Sequence, residues 1–297
     1  PDEFDLALIE KINNIEIPYW YPTDRMCEGS ESRRNDRYGI THVHQFYTRR
    51  NLYVNTWLIS KIVEVEDKRI SDMLLFGFNN VHQRHCKLNA MRFNVSFPSN
   101  ITSGTLYMPS MMRENNIIDQ LRNKYVKRIV KAFQNTIGEH SIISTNSTVS
   151  RMLNRNNLID YIFTDPPFGG NLNYSELNFI WEAWLKVFTD QKSEAIINAV
   201  QGKGLLEYQS LMTQCFTECY RILKPGRWMT VEFHNSQNSV WNAIQESLQR
   251  SGFIIADVRT LDKQQGSFKQ VTTTSAVKQD LVISAYKPKE SFKREFI

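Results

Sequence analysis

The sequence predicts an open α/β sheet with a helical N-terminal elaboration, and three stretches carry that reading. In the first, an apolar, β-rich run (Ile159, Tyr161, Ile162, Phe163) stops at Thr164-Asp165-Pro166-Pro167-Phe168-Gly169-Gly170. After Asn171 to Asn173 the spacing turns helical, with Leu177, Ile180, Trp181, Trp184 and Leu185 on one face. In the second, an amphipathic helix from Leu205 to Leu223 ends at Lys224-Pro225-Gly226, a turn that blocks continuation, and the strand Trp228 to Phe233 follows. In the third, a helix at 239–250 leads through Gly252 into a strand from Phe253 to Val258. A polar, loop-like stretch at 261–279, with Gly266-Ser267-Phe268-Lys269, precedes the last strand, Asp280 to Tyr286.

The first of these stretches is where chemistry is expected. A short buried strand that stops at a polar loop and reopens as a helix lies where open α/β sheets bind ligands, outside the carboxyl ends of the strands. Two consecutive prolines fix φ and remove two amide donors, so the Asp165 carboxylate and the carbonyls beside it are held as acceptors. Phe168 follows as a flat apolar surface. Fixed acceptors next to an aromatic plate suit a planar ring that carries an NH2 group.

Composition bounds the rest. A chain of 297 residues can form one large domain, or one domain with an elaboration. Hydrophobic content of 41% and charged content of 23% are ordinary for a soluble globular protein. No apolar run approaches the ~20 residues that span a bilayer, and the acidic, amphipathic start is unlike a signal peptide. A cytoplasmic protein without membrane attachment is expected. The first residue is not Met, which suggests a chain that is processed or cut from a longer protein. A net charge of +5 is compatible with a polyanionic partner. Cys27, Cys86, Cys215 and Cys219 show no CxxC pairing, so reduced thiols are expected ahead of a disulfide or zinc site.

Before the proline loop the pattern is mostly helical. Residues 4–13 read as a short amphipathic helix. An irregular stretch then gathers Arg25, Arg33, Arg34, Arg37, Arg49 and Arg50 among Trp20, Tyr21, Tyr38, Phe46 and Tyr47. It reads either as a nucleic-acid surface, with guanidinium groups on phosphates and rings on bases, or as a solvated loop over the core. Thr48 is a natural N-cap for a helix from Arg49 to Glu66, and a second helix runs from Ile70 to Cys86. His82, His85 and Cys86 fall within about one turn, but no second ligand pair accompanies them except His42 and His44, so no metal is expected. Phe76-Gly77-Phe78 lacks a second glycine and lies inside a helical run, which excludes a cofactor loop there. Residues 92–112 read as a loop or short hairpin. Helices follow over 114–135, where Lys124, Lys127, Arg128 and Lys131 make a basic face that is either solvated or in contact with a DNA backbone. The polar connection Thr189 to Gly204 could move over a substrate or act as a linker.

Asp165-Pro166-Pro167-Phe168 resembles the Asp/Asn-Pro-Pro-Tyr/Phe motif of S-adenosylmethionine-dependent amino-methyltransferases, and TDPPFGGNLNYSEL resembles the site-specific DNA adenine methylases of bacterial and phage-defence settings. Gly39-Ile40-Thr41, Phe46 to Leu52 and the Ser-Gly-Thr-Leu-Tyr segment at 103–107 also resemble that branch. The resemblance implies a class I methyltransferase (Rossmann-like) sheet over most of 155–287. Residues 151–297 would be the catalytic part, and residues 1–150 a target-recognition or cofactor-side elaboration. It also implies transfer to an exocyclic amine, N6 of adenine in DNA ahead of N4 of cytosine, in the setting of restriction-modification. Asp165 would accept one N–H, the Pro166 carbonyl the other, and Phe168 would stack on a base flipped from the duplex. Pro167 completes the motif. Thr164 and Asp165 would touch the cofactor. Asn171, Tyr174 and Glu176, with Arg49 and Arg50, are candidates for substrate contacts, against loop ordering, helix capping and packing.

One part of the resembled pattern is missing. The glycine-rich Phe-x-Gly-x-Gly loop that cradles the methionine moiety of the cofactor is not found in the 297 residues. A missing N-terminal half, or a partner subunit that supplies it, is therefore expected. Two other readings stand beside the DNA enzyme: an RNA base amino-methyltransferase, and a non-catalytic DNA-binding subunit with a methylase-like fold.

Overall fold

A computed structural model describes residues 2–93, 99–134, 152–235, 237–261 and 280–289. In chain order the elements are α1 (Glu3–Asn13), α2 (Ser30–Arg33), α3 (Arg49–Val63), α4 (Lys68–His82), β1 (Asn89–Met91) and β2 (Ser99–Ile101). A continuous helical run follows: α5 (Ile117–Gln120), a π-helical segment (Leu121–Val126) and α6 (Lys127–Gln134). Then come β3 (Ile159–Thr164), α7 (Tyr174–Leu185), α8 (Leu205–Ile222), β4 (Leu223–Phe233), α9 (Asn238–Arg250), β5 (Ile254–Leu261) and β6 (Asp280–Tyr286). The chain forms two compact units, one of Pro1–Ser141 with Tyr174–Thr189, the other of Ile142–Asn173 with Asp190–Ile297. No single cut separates them, because α7 groups with the N-terminal residues.

In the first unit, Thr48 caps α3 by accepting the Asn51 amide at 3.3 Å, as its position predicts. Helices α3 and α4 close over a core that includes Val43, Phe46, Leu52, Ile59 and Phe78, and α7 adds Ile180, Ala183 and Trp184 to it. Phe46 and Tyr47 are buried, and Tyr47 accepts the Trp184 indole N–H at 3.0 Å. That corrects their reading as base-stacking rings: their apolar area is spent on the core. His82 and His85 are also core residues. The His82 ring stacks on Phe78 at 5.3 Å and meets Trp181 edge-on, and neither histidine makes a hydrogen bond of good geometry through its ring. Among the described residues no cluster of three or more possible ligands could hold a metal. β1 pairs antiparallel with β2, so the strand pair begins before the 92–112 stretch expected to hold a loop or short hairpin.

Among the described residues the second unit forms a four-stranded sheet in the order β3-β4-β6-β5. β3 runs parallel to β4, while β6 is antiparallel to both β4 and β5. Helices α8 and α9 pack on one face, where Met229, Val231, Phe233, Ile283 and Ala285 meet Tyr208, Phe216, Ile244 and Leu248. Two sequence expectations need correction. The Lys224-Pro225-Gly226 segment does not precede the strand but lies within it. Ile159 pairs with Leu223 and Tyr161 with Trp228, so residues 224–227 bulge from the ladder, with Gly226 at φ +75°. Nor is β3 a buried strand. Among the described residues it is the edge of the sheet, and Tyr161 and Phe163 are 54% and 60% exposed. They share their face with Trp228, which is 43% exposed, because both helices of the unit cover the opposite side. Their apolar character had suggested burial that the α8 and α9 layer does not provide. The segment 262–279, with Gly266-Ser267-Phe268-Lys269, lies outside the described residues.

Candidate active site

The proline loop leaves the C-terminal end of β3 and is fixed from three directions by its own unit. Tyr208 on α8, fully buried, donates its hydroxyl to the Pro167 carbonyl at 2.6 Å. Asn235, two residues beyond β4, donates its side-chain amide to the Phe168 carbonyl at 2.9 Å. The Ile197 amide donates to the Gly169 carbonyl at 3.2 Å. Gly169 sits at φ +71°, and a Cβ on Gly170 would lie 3.1 Å from the Ile197 carbonyl, so both glycines allow the loop to lie against residues 190–204. Pro166 is buried, whereas Asp165 is exposed. The result is a loop whose later carbonyls are used structurally and in which Asp165 is exposed.

Phe168 is half-buried and packs edge-on against Phe233, with centroids 5.3 Å apart, and against His234 at 6.2 Å. His234 Nδ1 lies 2.7 Å from the buried Asp280 Oδ1, near enough for an ion pair although off the line that a hydrogen bond needs. Behind the loop a cavity of about 240 Å³ opens between Thr164–Pro167 and α8, lined also by Met212, Cys215, Phe216 and Cys219. Burial pushes the Cys219 thiol up to about 12, with the neighbouring Cys215 and Glu218 adding to it. Cys219 is thus a protonated packing group at neutral pH.

The 190–204 connection is a built structure and not a plain linker. Lys203 is buried and donates Nζ to the Gln191 and Glu194 carbonyls, each at 2.6 Å, while Asn198 and Lys203 exchange backbone hydrogen bonds at 2.9 Å. Asn198 also reaches the Asn173 side chain at 3.3 Å. Tyr208, Asn235 and Ile197 escaped the sequence reading, and Lys203 was seen only as part of a connection, 189–204, that could move over a substrate or act as a linker.

The other candidates fall elsewhere. Asn171 is exposed in the loop after Gly170. Tyr174 opens α7 in the first unit. Glu176 is fully buried there and accepts the Ser32 amide at 2.7 Å. A Cβ on Gly29 would stand 1.9 Å from its carboxyl carbon, so Glu176 packs against bare backbone and anchors the turn before α2. Arg49 gives Nε and Nη2 to the Ile15 carbonyl at 2.9 and 2.6 Å, and Arg50 lies 3.3 Å from Glu114. Arg33 and Arg34 have acidic neighbours as well, so much of the predicted basic cluster braces its own loop. The Ser-Gly-Thr-Leu-Tyr segment serves α2: Glu31 accepts the Leu106 amide at 2.9 Å, and the Leu106 carbonyl accepts Asn35 at 2.8 Å.

The described residues fit the amine-accepting half of the implied reaction but not the cofactor half. A methionine cradle needs backbone left bare for the ligand. At Gly29, Gly77, Gly170, Gly204, Gly226 and Gly252, a Cβ would instead meet atoms of the protein itself, and the two glycines where it meets none, Gly39 and Gly202, are isolated from each other in sequence.

A mixed sheet with a proline-locked carboxylate loop beyond a parallel strand defines an α/β protein. Residues 159–296 match the sequence model of a family described as DNA methylase, named for N6 and N4 methyltransferases. Solved structures with similarity include a Thermus thermophilus protein described as a DNA modification methylase (11% identity, TM-score 0.29, 46% of this chain and 47% of that one). Another is an S-adenosylmethionine-dependent methyltransferase from Methanosarcina mazei (12% identity, TM-score 0.30, 57% and 80%). A third is the [4+2]-cyclase SpnF (13% identity, TM-score 0.28, 49% and 56%). The chain spans about half the length of the Thermus protein. No curated protein matches it. Among the described residues no helix is long and apolar enough to cross a membrane.

Proposed function

We propose that this chain supplies the acceptor half of a DNA amino-methyltransferase that methylates N6 of adenine. S-adenosylmethionine is the methyl donor, and a segment outside this chain completes its binding site. The observation that carries the reading is the Asp165-Pro166-Pro167-Phe168 loop, anchored through Pro167, Phe168 and Gly169 while Asp165 stays exposed. The lone pair of an exocyclic amine is delocalised into its ring. Two acceptors, the Asp165 carboxylate and the Pro166 carbonyl, draw both N–H groups out of the ring plane and localise that pair for attack on a methyl group. The anchoring matters because an acceptor fixed before the reaction needs no reorganisation during it. Asp165 favours adenine over cytosine as the substrate.

Among the described residues, the outer edge of β3 is unpaired and the face carrying Tyr161, Phe163 and Trp228 is uncovered. Both features support a missing segment, since parallel strands are normally covered on both faces. Calorimetric titration with S-adenosylmethionine tests this part of the proposal. Absence of binding by the chain alone, with binding restored by an upstream half added in trans, is the expected result. Methyl incorporation into duplex DNA, set against tRNA and rRNA, then tests the substrate, and preferential labelling of RNA would move the assignment to RNA.

A further inference from the structure

The arginines near α2 and α3 are largely committed to carboxylates or carbonyls, but Arg84 and Arg128 have no carboxylate partner among the described residues. Both line one pocket of about 230 Å³, with Asn80, Val81, Tyr125 and Ile129. Arg84 lies in the 3-10 turn after α4, and the Asn115 side chain holds its carbonyl at 3.0 Å. Arg128 lies in the first turn of α6, directly after the π-helical segment. Such segments recur at functional sites because the wider turn re-aims the side chains after it. Tyr125 fixes this one in place: its hydroxyl donates to the Met73 carbonyl at 2.5 Å. Its ring lies on Gly77, where a Cβ would be 2.1 Å from Cε1. The fold thus brings two arginines to the lining of one small pocket. Two cationic residues at one pocket favour an anion there.

We propose that Arg84 and Arg128 clamp a backbone phosphate of duplex DNA, with Asn80 as a neutral donor. The proposal rests on the DNA reading above. Guanidinium forks match phosphate geometry. Exposed Arg122 and Lys127 lie on the same helical run and add positive charge to it, as suits an extended polyanion better than a single small anion.

The test is fluorescence anisotropy of the full chain with a labelled duplex across a salt series, for the wild type, Arg84→Gln, Arg128→Gln and the double variant. Lys11→Gln removes the same charge from α1 as a control. Loss of one phosphate contact should weaken binding about tenfold and flatten the slope of log K against log salt by about 0.9 in the double variant. The control should keep both values. Unchanged affinity and slope in the double variant would overturn the clamp while leaving the DNA reading intact. Failure of the wild type to bind duplex DNA, or a preference for single-stranded RNA, would overturn both. Inorganic phosphate that raises the melting temperature of the wild type but not of the double variant, without DNA binding by either, would assign the pocket to a free anion and refute a DNA clamp.

Discussion

The Tyr208 hydroxyl and the Pro167 carbonyl stand 2.6 Å apart, joining helix α8 to the loop that carries Asp165. Tyr208→Phe keeps the ring and removes this bond. The loss should cost about 1 kcal/mol in urea unfolding. Turnover should fall further, by about tenfold, because an acceptor loop displaced by a fraction of an ångström presents the amine poorly. Stability reduced with single-turnover methylation unchanged would show that Asn235 and Ile197 suffice to hold the loop.

Asp165 is exposed, so Asp165→Ala should leave the unfolding free energy within about 0.5 kcal/mol of the wild type. Methyl transfer by a preparation active on DNA should drop at least about a hundredfold. Substantial residual transfer would sink the assignment of Asp165 as the amine acceptor.

His82 and His85 make the first unit sensitive to acid. Burial lowers each ring to about 3. At His82 the Asn79 carbonyl offsets this slightly, and at His85 the nearby His82 and Arg84 add to it. The unfolded chain takes up these protons near pH 6.5, whereas the folded chain resists them until about pH 3. Stability is therefore full above pH 6.5 and lost as pH falls towards 3, by about 2 kcal/mol per ring at pH 5. His82→Leu should flatten the dependence of melting temperature on pH between 6.5 and 4. A variant as acid-sensitive as the wild type would place the sensitivity elsewhere.

Gly77→Ala sets two effects against each other. Helix propensity alone favours alanine by up to about 1 kcal/mol. The added Cβ, however, would stand 2.1 Å from Tyr125 Cε1, and a ring held by its hydroxyl yields little. Net destabilisation of about 1–3 kcal/mol is expected, together with weaker DNA binding as Arg128 moves from Arg84. A more stable variant would show that the Tyr125 ring swings aside freely.

What the sequence disclosed follows from how local each signal is. Helix α9 was expected over 239–250 and is found at Asn238–Arg250, and β6 has its expected bounds, because period and turn residues act over a few positions. The motif placed Asp165 at the end of a strand for the same reason. Its anchors were not legible: Tyr208 lies 41 residues beyond Pro167, and Asn235 lies 67 beyond Phe168. An isolated tyrosine or asparagine has no periodic neighbour to mark it. The exposure of Tyr161 and Phe163 was misread because an apolar run records that a strand can be covered, not which of its faces is.

The grouping of Tyr174–Thr189 with the N-terminal residues has a consequence for synthesis on the ribosome. Ile180, Ala183 and Trp184 belong to the first core, so that core cannot close until the polypeptide has been made through α7. By then β3 has already emerged, while β4, its parallel partner, begins only at Leu223. The nascent chain must therefore carry an unmatched strand while residues 165–222 are made, the interval in which a chaperone would find it most readily.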